Sequence, residues 1–303
     1  MLKFEPLLPQ QRTQYDPILQ NAGERGCEYS FTNLCLWGRQ RVTRVGDYLA
    51  FLSQYNRRNV YPFPVGSGDL KPVLDSIIHD AATRDIPCCL VSLTAADKET
   101  LEALYPGQFR FHSDRDSFDY VYAIDTLCEL KGKKLQSKRN YVNRFTAAHP
   151  NHRLIPITRE TIPAAQAMVR EWYALRAAED PHSDYQLERA ALAKAFLHWE
   201  ALALEGMLLE CDGEILAMTV GSRLTPDTFD IHFEKALDRA DGAYAVINRG
   251  FARYLREKYP ELCWLNREDD MGIPGLRKAK LSYIPDRLVE KYWACLQEGC
   301  CDD

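Results

Sequence analysis

The pattern of hydrophobic and polar positions is clearest in the second half of the chain. Apolar residues recur at helical spacing in five segments, namely 131–148, 161–177, 185–204, 242–258 and 275–283. Apolar runs typical of strands occur at 152–158, 207–224, 228–236, 262–266 and 288–296. The run 207–224 predicts a hairpin, because Asp212 and Gly213 form a favoured two-residue turn at its centre. After the helix at 131–148, this half therefore has the predicted order β, α, α, β, β, β, α, β, α, β.

The first half repeats nearly the same order of elements with weaker signals. Helices are predicted at 10–23, 31–37, 69–83 and 94–104. Strands are predicted at 2–6, 41–45, 48–54, 60–65, 88–93, 109–112 and 118–124. Two copies of one order predict an α/β (α+β) fold of two tandem domains with mixed sheets, an N-terminal domain at 1–128 and a C-terminal domain at 129–303.

Composition places the chain among ordinary globular proteins. Of the 303 residues, 46% are hydrophobic and 27% are charged, which is typical of a soluble domain with a sizeable core. No apolar run approaches the roughly 20 residues of a membrane helix, and the first residues lack the pattern of a signal peptide. The ten cysteines show no zinc-binding spacing. We therefore expect a cytoplasmic protein with reduced thiols, including the pairs at 88–89 and 300–301, and no metal site.

The charge is distributed unevenly along the chain. The formal net charge is −5, yet the window 130–159 contains no Asp or Glu and carries eight Lys or Arg residues. A basic segment on an acidic protein predicts an anionic partner such as phosphate, a lipid headgroup, coenzyme A or tRNA. The alternative is a solvated helix face with no binding role.

Six short segments together resemble a known family. They are YSFTNL at 29–34 with Trp37, GKKLQSKRNY at 132–141, FEK at 233–235, DGAY at 241–244, LNRE at 265–268 and GLRKAKLSY at 275–283. They resemble uncharacterised bacterial proteins grouped with the C-terminal catalytic domain of phosphatidylglycerol lysyltransferase. The order of elements is similar to tandem GNAT acyltransferases and Fem-type aminoacyltransferases.

The resemblance implies two GNAT-like domains and the transfer of an acyl or aminoacyl group to an amine or hydroxyl. It implies that Lys280 helps to hold an aminoacyl-tRNA end, and that Lys235 matches a basic residue of the central strand. It also implies a tyrosine, Tyr283 or Tyr244, that protonates the leaving group.

The residues themselves suggest where the chemistry lies. Glu234 ends an apolar strand, where partial burial favours a general base; the alternative is a structural pair with Lys235 or Arg267. Glu268 follows the next strand and can act as a base, bind an acceptor amine or complement the following helix. With Lys280 and Tyr283, these form the predicted catalytic set. Further donor-binding or substrate-binding candidates are Lys138, Arg139, Lys235, Tyr244, Asn266, Arg267 and Lys278.

A phosphate-binding turn for coenzyme A is poorly developed. Gly66 and Gly68 permit close approach of a cofactor, but Asp69 follows them. The corresponding turn of the second half contains Asp238 and Asp241, which repel phosphate. We therefore expect an aminoacyl-tRNA donor and a small-molecule, lipid or peptide acceptor. A CoA-dependent N-acetyltransferase and a non-catalytic module that binds an anionic ligand remain the alternatives.

Overall fold

The computed structural model describes residues 1–23, 25–37, 39–55, 58–179 and 185–297. By its internal contacts, the chain forms two compact units. Unit 1 comprises Met1–Asp119, Asp269–Ile273 and Leu288–Asp303, and unit 2 comprises Tyr120–Glu268 and Pro274–Arg287. The units therefore interleave along the sequence. The predicted domain boundary after residue 128 is a different division of the chain, and the two domains at 1–128 and 129–303 stay a prediction.

Unit 1 is built on one seven-stranded mixed sheet. Its strands are β1 (Glu5–Pro6), β2 (Arg41–Val45), β3 (Tyr48–Tyr55), β4 (Arg58–Pro62), β5 (Cys89–Leu93), β6 (Phe109–Ser113) and β14 (Tyr292–Leu296), in the order β1-β2-β3-β4-β5-β14-β6. Its helices are α1 (Arg12–Gln20), α2 (Phe31–Leu36), α3 (Lys71–Arg84) and α4 (Ala95–Leu104). Only β4 and β5 pair in parallel. The last strand of the chain thus completes the sheet of the first unit.

Local sequence explains where α4 begins. Thr94 Oγ1 accepts the Asp97 N–H at 3.1 Å, and the Asp97 carboxylate accepts the Thr94 N–H at 2.9 Å. This reciprocal pair satisfies two donors that the first turn of a helix leaves without partners. Thr94 and Asp97 therefore form a capping box at the start of α4.

The expectation of reduced thiols is wrong for Cys89. Strands β5 and β14 place Cys89 opposite Cys295, with their Cα atoms 4.2 Å apart, and the two residues form a disulfide. The pairing brings together cysteines 206 positions apart, so sequence spacing gave no sign of it. Cys88 is a free thiol buried in the core, whereas Cys300 and Cys301 lie outside the described residues.

Unit 2 contains a second mixed sheet. Its strands are β7 (Asp119–Ala123), β8 (Arg153–Pro156), β9 (Glu205–Cys211), β10 (Glu214–Thr225), β11 (Thr228–Ala236) and β12 (Trp264–Asn266), in the order β7-β12-β11-β10-β9-β8. Its helices are α5 (Ile124–Glu129), α6 (Gln136–Ala148), α7 (Ile162–Glu179), α8 (Gln186–Leu197), α9 (Ala243–Lys258) and α10 (Pro274–Leu281). The strand β13 (Arg287–Val289) spans the division between the units. The predicted single strand at 288–296 is therefore two strands, β13 and β14.

Strands β11 and β12 are paired over only part of their length. They run parallel, and their paired residues are Thr228–Asp230 on β11 and Trp264–Asn266 on β12. Strand β12 ends there, whereas β11 continues to Ala236. The β10–β11 register also shifts at His232, which leaves this residue in a β-bulge. The carboxyl ends of neighbouring parallel strands are where α/β sheets commonly bind ligands.

Helix α9 supplies much of the core of unit 2. Its Phe251 packs edge-on against Phe229 of β11, with ring centroids 5.9 Å apart. Ile247 on the same helix is completely buried. This apolar face of α9 fixes the helix against the sheet. The start of α9 therefore lies at the open end of β11, which is the part after Asp230 that β12 does not pair with.

Replacing Ile247 with valine should lower the free energy of unfolding by about 1 kcal/mol, since one buried methyl group is lost and leaves a small cavity. Urea denaturation monitored by circular dichroism measures the change. The same replacement at Ile273, which is 48% exposed, is the matched control and should leave the midpoint nearly unchanged. Equal effects at both positions would contradict the burial described for α9.

Candidate functional site

A buried ion pair occupies the open end of β11. Arg267 Nη2 lies 2.6 Å from Glu234 Oε2, and the two side chains are 9% and 7% exposed. Glu234 Oε1 and Arg267 Nη1 are also buried, and neither has a hydrogen-bond partner within the described residues. The pair is neutral overall, yet it leaves one acceptor and one donor without partners. Buried polar atoms in this state are rare and costly, and they are common features of ligand sites.

Two tyrosines border the pair. The Arg267 guanidinium lies 5.0 Å from the ring centroid of Tyr283, whose pKa is raised to about 12 because burial outweighs the nearby arginine charge. The Tyr244 hydroxyl donates to the Glu234 carbonyl oxygen at 2.5 Å. Desolvation, followed by the Glu234 charge, raises the pKa of Tyr244. Both hydroxyls therefore keep their protons at neutral pH and can only donate them.

Lys138, on helix α6, also lies beside Tyr283. Its Nζ lies 4.2 Å from the ring centroid of Tyr283. Burial, and then the neighbouring Arg267 charge, lower the pKa of Lys138. An anion bound here would offset the repulsion between the two cations.

Lys280 holds the backbone that follows β12. Its buried Nζ donates to the carbonyl oxygens of Arg267 at 2.5 Å and Glu268 at 3.1 Å. The Tyr122 hydroxyl donates to the Lys280 carbonyl oxygen at 2.8 Å. These bonds fix the position of Arg267, and the same Nζ lies 5.7 Å from the ring centroid of Tyr120. The predicted catalytic role of Lys280 stays a prediction.

Lys235 points to a different set of side chains. Its ammonium group bonds to the Glu188 carboxylate and lies 3.7 Å from the ring centroid of Trp172. Burial lowers the pKa of Lys235, although the Glu188 charge opposes this shift. Glu188 belongs to α8 and Trp172 belongs to α7, so Lys235 joins the sheet to these two helices.

The remaining predicted residues occupy several environments. Arg139 donates to the carbonyl oxygens of Leu130 and Gly132, and Asn266 Oδ1 accepts the Glu268 N–H at 2.7 Å. Lys278 is exposed, as are Gly66 and Gly68, which belong to unit 1. The structure thus brings together one group of predicted residues in unit 2, namely Glu234, Arg267, Tyr283, Tyr244, Lys138 and Lys280.

A buried polar cluster beside this group was missed from the sequence. His232 Nε2 lies 2.8 Å from Ser222 Oγ. The other ring nitrogen, Nδ1, lies 3.2 Å from Glu268 Oε1 and 3.4 Å from Asp230 Oδ2. Asp230, His232 and Glu234 alternate along an otherwise apolar strand, and this period-two pattern was the available signal. Ser222 gave no such signal.

The match to a known family decides what kind of protein contains this site. The family model described as "Phosphatidylglycerol lysyltransferase, C-terminal" matches residues 20–295. The chain belongs to this family. The resemblance inferred from the sequence is therefore confirmed, and the family is one of aminoacyl or acyl transferases.

Individual relatives agree with this assignment. An uncharacterised protein of Mycoplasmoides gallisepticum is 26% identical over 205 residues, which cover 66% of this chain and 62% of that protein. The chain therefore matches about three fifths of the length of this curated relative. A conserved Bacteroides thetaiotaomicron protein of unknown function is 38% identical, covers 98% of this chain and 100% of its own, and has a TM-score of 0.93.

More distant solved structures show the fold alone. L-PGS from Bacillus licheniformis is 17% identical and has a TM-score of 0.68, with 95% of this chain and 92% of that chain covered. A tandem GNAT protein from the clavulanic acid biosynthesis pathway is 12% identical, covers both chains completely and has a TM-score of 0.50. The predicted α/β architecture with tandem GNAT-like sheets is confirmed. Within the part of the chain that the structure describes, no helix has the length and apolar character required to cross a bilayer.

A groove separate from the ion pair lies between α6 and α9. Its volume is about 720 Å³, and its wall includes Val142, Leu154, Arg249 and Arg253. Both arginines donate through Nε to the Cys128 carbonyl oxygen, at 2.9 and 3.0 Å. None of the predicted site residues lines this groove.

The charge state of Lys138 offers a direct check of the site. Because burial and Arg267 both lower its pKa, we expect its Nζ to lose its proton at a lower pH than an exposed lysine, whose pKa is about 10.4. Titration of 13C-methylated lysines by NMR measures this. Replacing Arg267 with methionine should shift the Lys138 midpoint upward. A Lys138 midpoint at the ordinary value of an exposed lysine would contradict the described geometry.

Proposed function

We propose that this chain transfers an aminoacyl group from a charged tRNA to an amine or hydroxyl group on a small molecule, lipid or peptide. The family description names a lysyl transfer, and the site offers matching chemistry. One observation carries the proposal, namely that the Glu234–Arg267 pair keeps one carboxylate oxygen and one guanidinium nitrogen buried without partners. Acyl transfer requires one acceptor for a proton and one donor for a developing oxyanion.

The roles follow from these two atoms. Glu234 Oε1 takes the proton of the attacking amine or hydroxyl as that group bonds to the carbonyl carbon. Arg267 Nη1 donates to the carbonyl oxygen while it carries negative charge in the tetrahedral intermediate. The ester bond to the tRNA ribose then breaks, and the proton passes from Glu234 to the leaving oxygen. Tyr283 stays protonated and stabilises the same oxygen or the leaving group by a hydrogen bond.

The surroundings favour tRNA over coenzyme A as the donor. The start of α9, where GNAT enzymes would bind pyrophosphate, is covered by α6. A Cβ atom at Gly242 would lie 2.7 Å from the Tyr141 carbonyl oxygen, and Asp241 is paired with Arg144 at 3.0 Å. Lys138 on the same α6 helix supplies a cation beside the ion pair, which suits a backbone phosphate near the tRNA 3′ end.

The test uses bulk bacterial tRNA charged with a mixture of radiolabelled amino acids. We expect salt-sensitive retention of the protein–tRNA complex on filters, and loss of the aminoacyl ester when amine or hydroxyl acceptors are added. Lys138→Ala should weaken retention and reduce the slope of log affinity against log salt by about one. Lys71→Ala, at an exposed position of unit 1, is the control.

Three outcomes would separate this proposal from its alternatives. Saturable thermal stabilisation by acetyl-CoA, without retention of tRNA, would favour an N-acetyltransferase. Retention of tRNA without loss of ester for any acceptor would favour a binding module. Equal retention by the Lys138→Ala and wild-type proteins would remove α6 from the donor site.

A further inference from the structure

The surroundings of His232 are unusual for a buried histidine. Its ring is completely buried, and a single ring nitrogen, Nδ1, faces two carboxylates from different parts of unit 2. Asp230 lies on the same strand, and Glu268 follows β12. The distance to Glu268 Oε1 is 3.2 Å, at the long end of the range for an N–H···O hydrogen bond, and the distance to Asp230 Oδ2 is 3.4 Å, beyond that range. One N–H group cannot point well at both oxygens.

These separations are those of atoms that share one metal ion. Zinc binds imidazole nitrogen at about 2.0–2.1 Å and carboxylate oxygen at about 2.0–2.2 Å in tetrahedral geometry. Two such ligand atoms are therefore about 3.3–3.5 Å apart. The two measured distances from His232 Nδ1 lie close to this range, and ligand atoms of all three residues lie within 4.8 Å of one another.

A fourth residue on another strand orients the imidazole. Ser222 on β10 lies 2.8 Å from His232 Nε2, so this nitrogen is occupied and Nδ1 is the atom that remains directed at the carboxylates. Histidine ligands of metals almost always bond through their second nitrogen to such a neighbour, which fixes the tautomer and the ring. The β-bulge at His232 gives the ring this orientation, because it takes the residue out of the regular β10–β11 register.

We propose that Asp230, His232 and Glu268 bind one divalent transition-metal ion, with zinc as the best match. One nitrogen and two carboxylate oxygens suit zinc better than magnesium or calcium, which favour oxygen ligands alone. Glu268 is 20% exposed on its side chain, which leaves a path for entry and a fourth position for water. The bound ion would offset the negative charges of Asp230 and Glu268. It would also link β11 to the segment that contains Arg267.

The second group of possible ligands in the described residues behaves differently. Cys27, Glu28 and Asp119 of unit 1 also lie within reach of one another. There, however, the Lys291 ammonium bonds to Asp119 at 2.6 Å and to Glu28 at 2.8 Å. A protein cation therefore lies within bonding distance of both carboxylates of that group, which disfavours a metal ion there, and Glu28 provides a control.

The experiment uses the full chain, stripped of metal with a chelator. Calorimetric titration with ZnCl₂ and elemental analysis after dialysis should give one zinc ion per chain, with a rise in the thermal midpoint. Mg²⁺ should produce neither effect. Glu268→Gln and His232→Gln should each weaken zinc affinity at least 100-fold, and Ser222→Ala about 10- to 100-fold. Glu28→Gln should leave the stoichiometry and affinity unchanged.

The experiment remains decisive if a variant does not fold. Circular dichroism checks each variant, and NMR of the wild-type imidazole gives an independent answer. When zinc is added to the protein that a chelator has stripped of metal, binding through Nδ1 should shift the NMR resonances of the His232 ring. Absence of zinc binding at millimolar concentration, with His232 detected as an imidazolium, would overturn the proposal in favour of an ion triad. Equal zinc binding by Glu268→Gln would place the ion elsewhere. Neither result depends on transferase activity, so the proposed function is tested separately.

Discussion

Replacing Glu234 with glutamine should lower the rate of aminoacyl transfer by about 10²–10³-fold, because the buried acceptor of the proton is lost. Glutamine retains the size of the side chain, and its oxygen can still accept a hydrogen bond from Arg267 Nη2. The rate is measured as loss of the labelled ester from charged tRNA under single-turnover conditions. Retention of tRNA should change little, since Glu234 does not contact the donor phosphates in the proposed arrangement.

Glu210→Gln is the matched control for this change. Glu210 is also buried and pairs with an arginine, Arg153, at 2.8 Å, but it lies on β9, away from the open end of β11. The control should transfer at the wild-type rate. Because loss of Glu234 leaves a buried arginine charge, both variants are compared below their unfolding midpoints. A wild-type rate for a folded Glu234→Gln protein would remove Glu234 from the chemistry.

Replacing Lys291 with methionine should destabilise unit 1 by about 3–5 kcal/mol, the usual cost of breaking a buried ion pair from one side. Lys291 is 3% exposed and bonds to Asp119 at 2.6 Å and to Glu28 at 2.8 Å. The variant leaves the buried Asp119 carboxylate without this cation. Urea denaturation monitored by the tyrosine and tryptophan signal measures the loss.

The same cluster predicts a pH dependence. Although burial alone would lower it, the nearby anions, Asp119 first, raise the pKa of Lys291 well above its ordinary value. A raised folded-state pKa means that the contribution to stability is complete below the unfolded pKa of about 10.4, and that it is lost as pH rises through the higher folded value. The difference in stability between wild type and Lys291→Met should therefore be constant near neutrality and shrink only in strong alkali.

The control for this prediction is an exposed pair. Lys71 and Asp75 form an i,i+4 bridge at 3.0 Å, with side chains 49% and 51% exposed. Lys71→Met should change stability only slightly, because solvent screens exposed pairs. The double variant Lys291→Met with Asp119→Asn should recover part of the loss. Equal losses for Lys71→Met and Lys291→Met would contradict the burial of the cluster.

The sequence predicted most elements of the fold because their signals are local. Hydrophobic period and turn chemistry located β11, α9 and the hairpin at Asp212–Gly213 within a few residues. The error in the cysteine prediction is of long range. Strand β14 joins β5 through contacts about 200 residues apart, which no window of sequence reports, and this pairing places Cys89 beside Cys295 in the disulfide.

The candidate site was predicted in part for the same reason. Glu234 and Arg267 lie at or just after the ends of predicted strands, and Tyr283 ends the segment 275–283 that resembles the family. Lys138 belongs to the basic window 130–159. The sequence did not indicate that His232 and Ser222 contact each other in a buried cluster. Their contact depends on the β-bulge at His232 and on the pairing of β10 with β11. Gly66 and Gly68, which the sequence assigned to the N-terminal domain, lie exposed in unit 1.

The central claim is that the open end of β11 in unit 2 holds the reacting ester. A crystal structure with an amide analogue of the charged tRNA 3′ end, an aminoacylamino-adenosine, tests it most directly. The account predicts the amide carbonyl oxygen within hydrogen-bond distance of Arg267 Nη1, and Glu234 Oε1 facing the carbonyl carbon from the acceptor side. An analogue bound instead at Gly66–Gly68, or in the groove between α6 and α9, would contradict it.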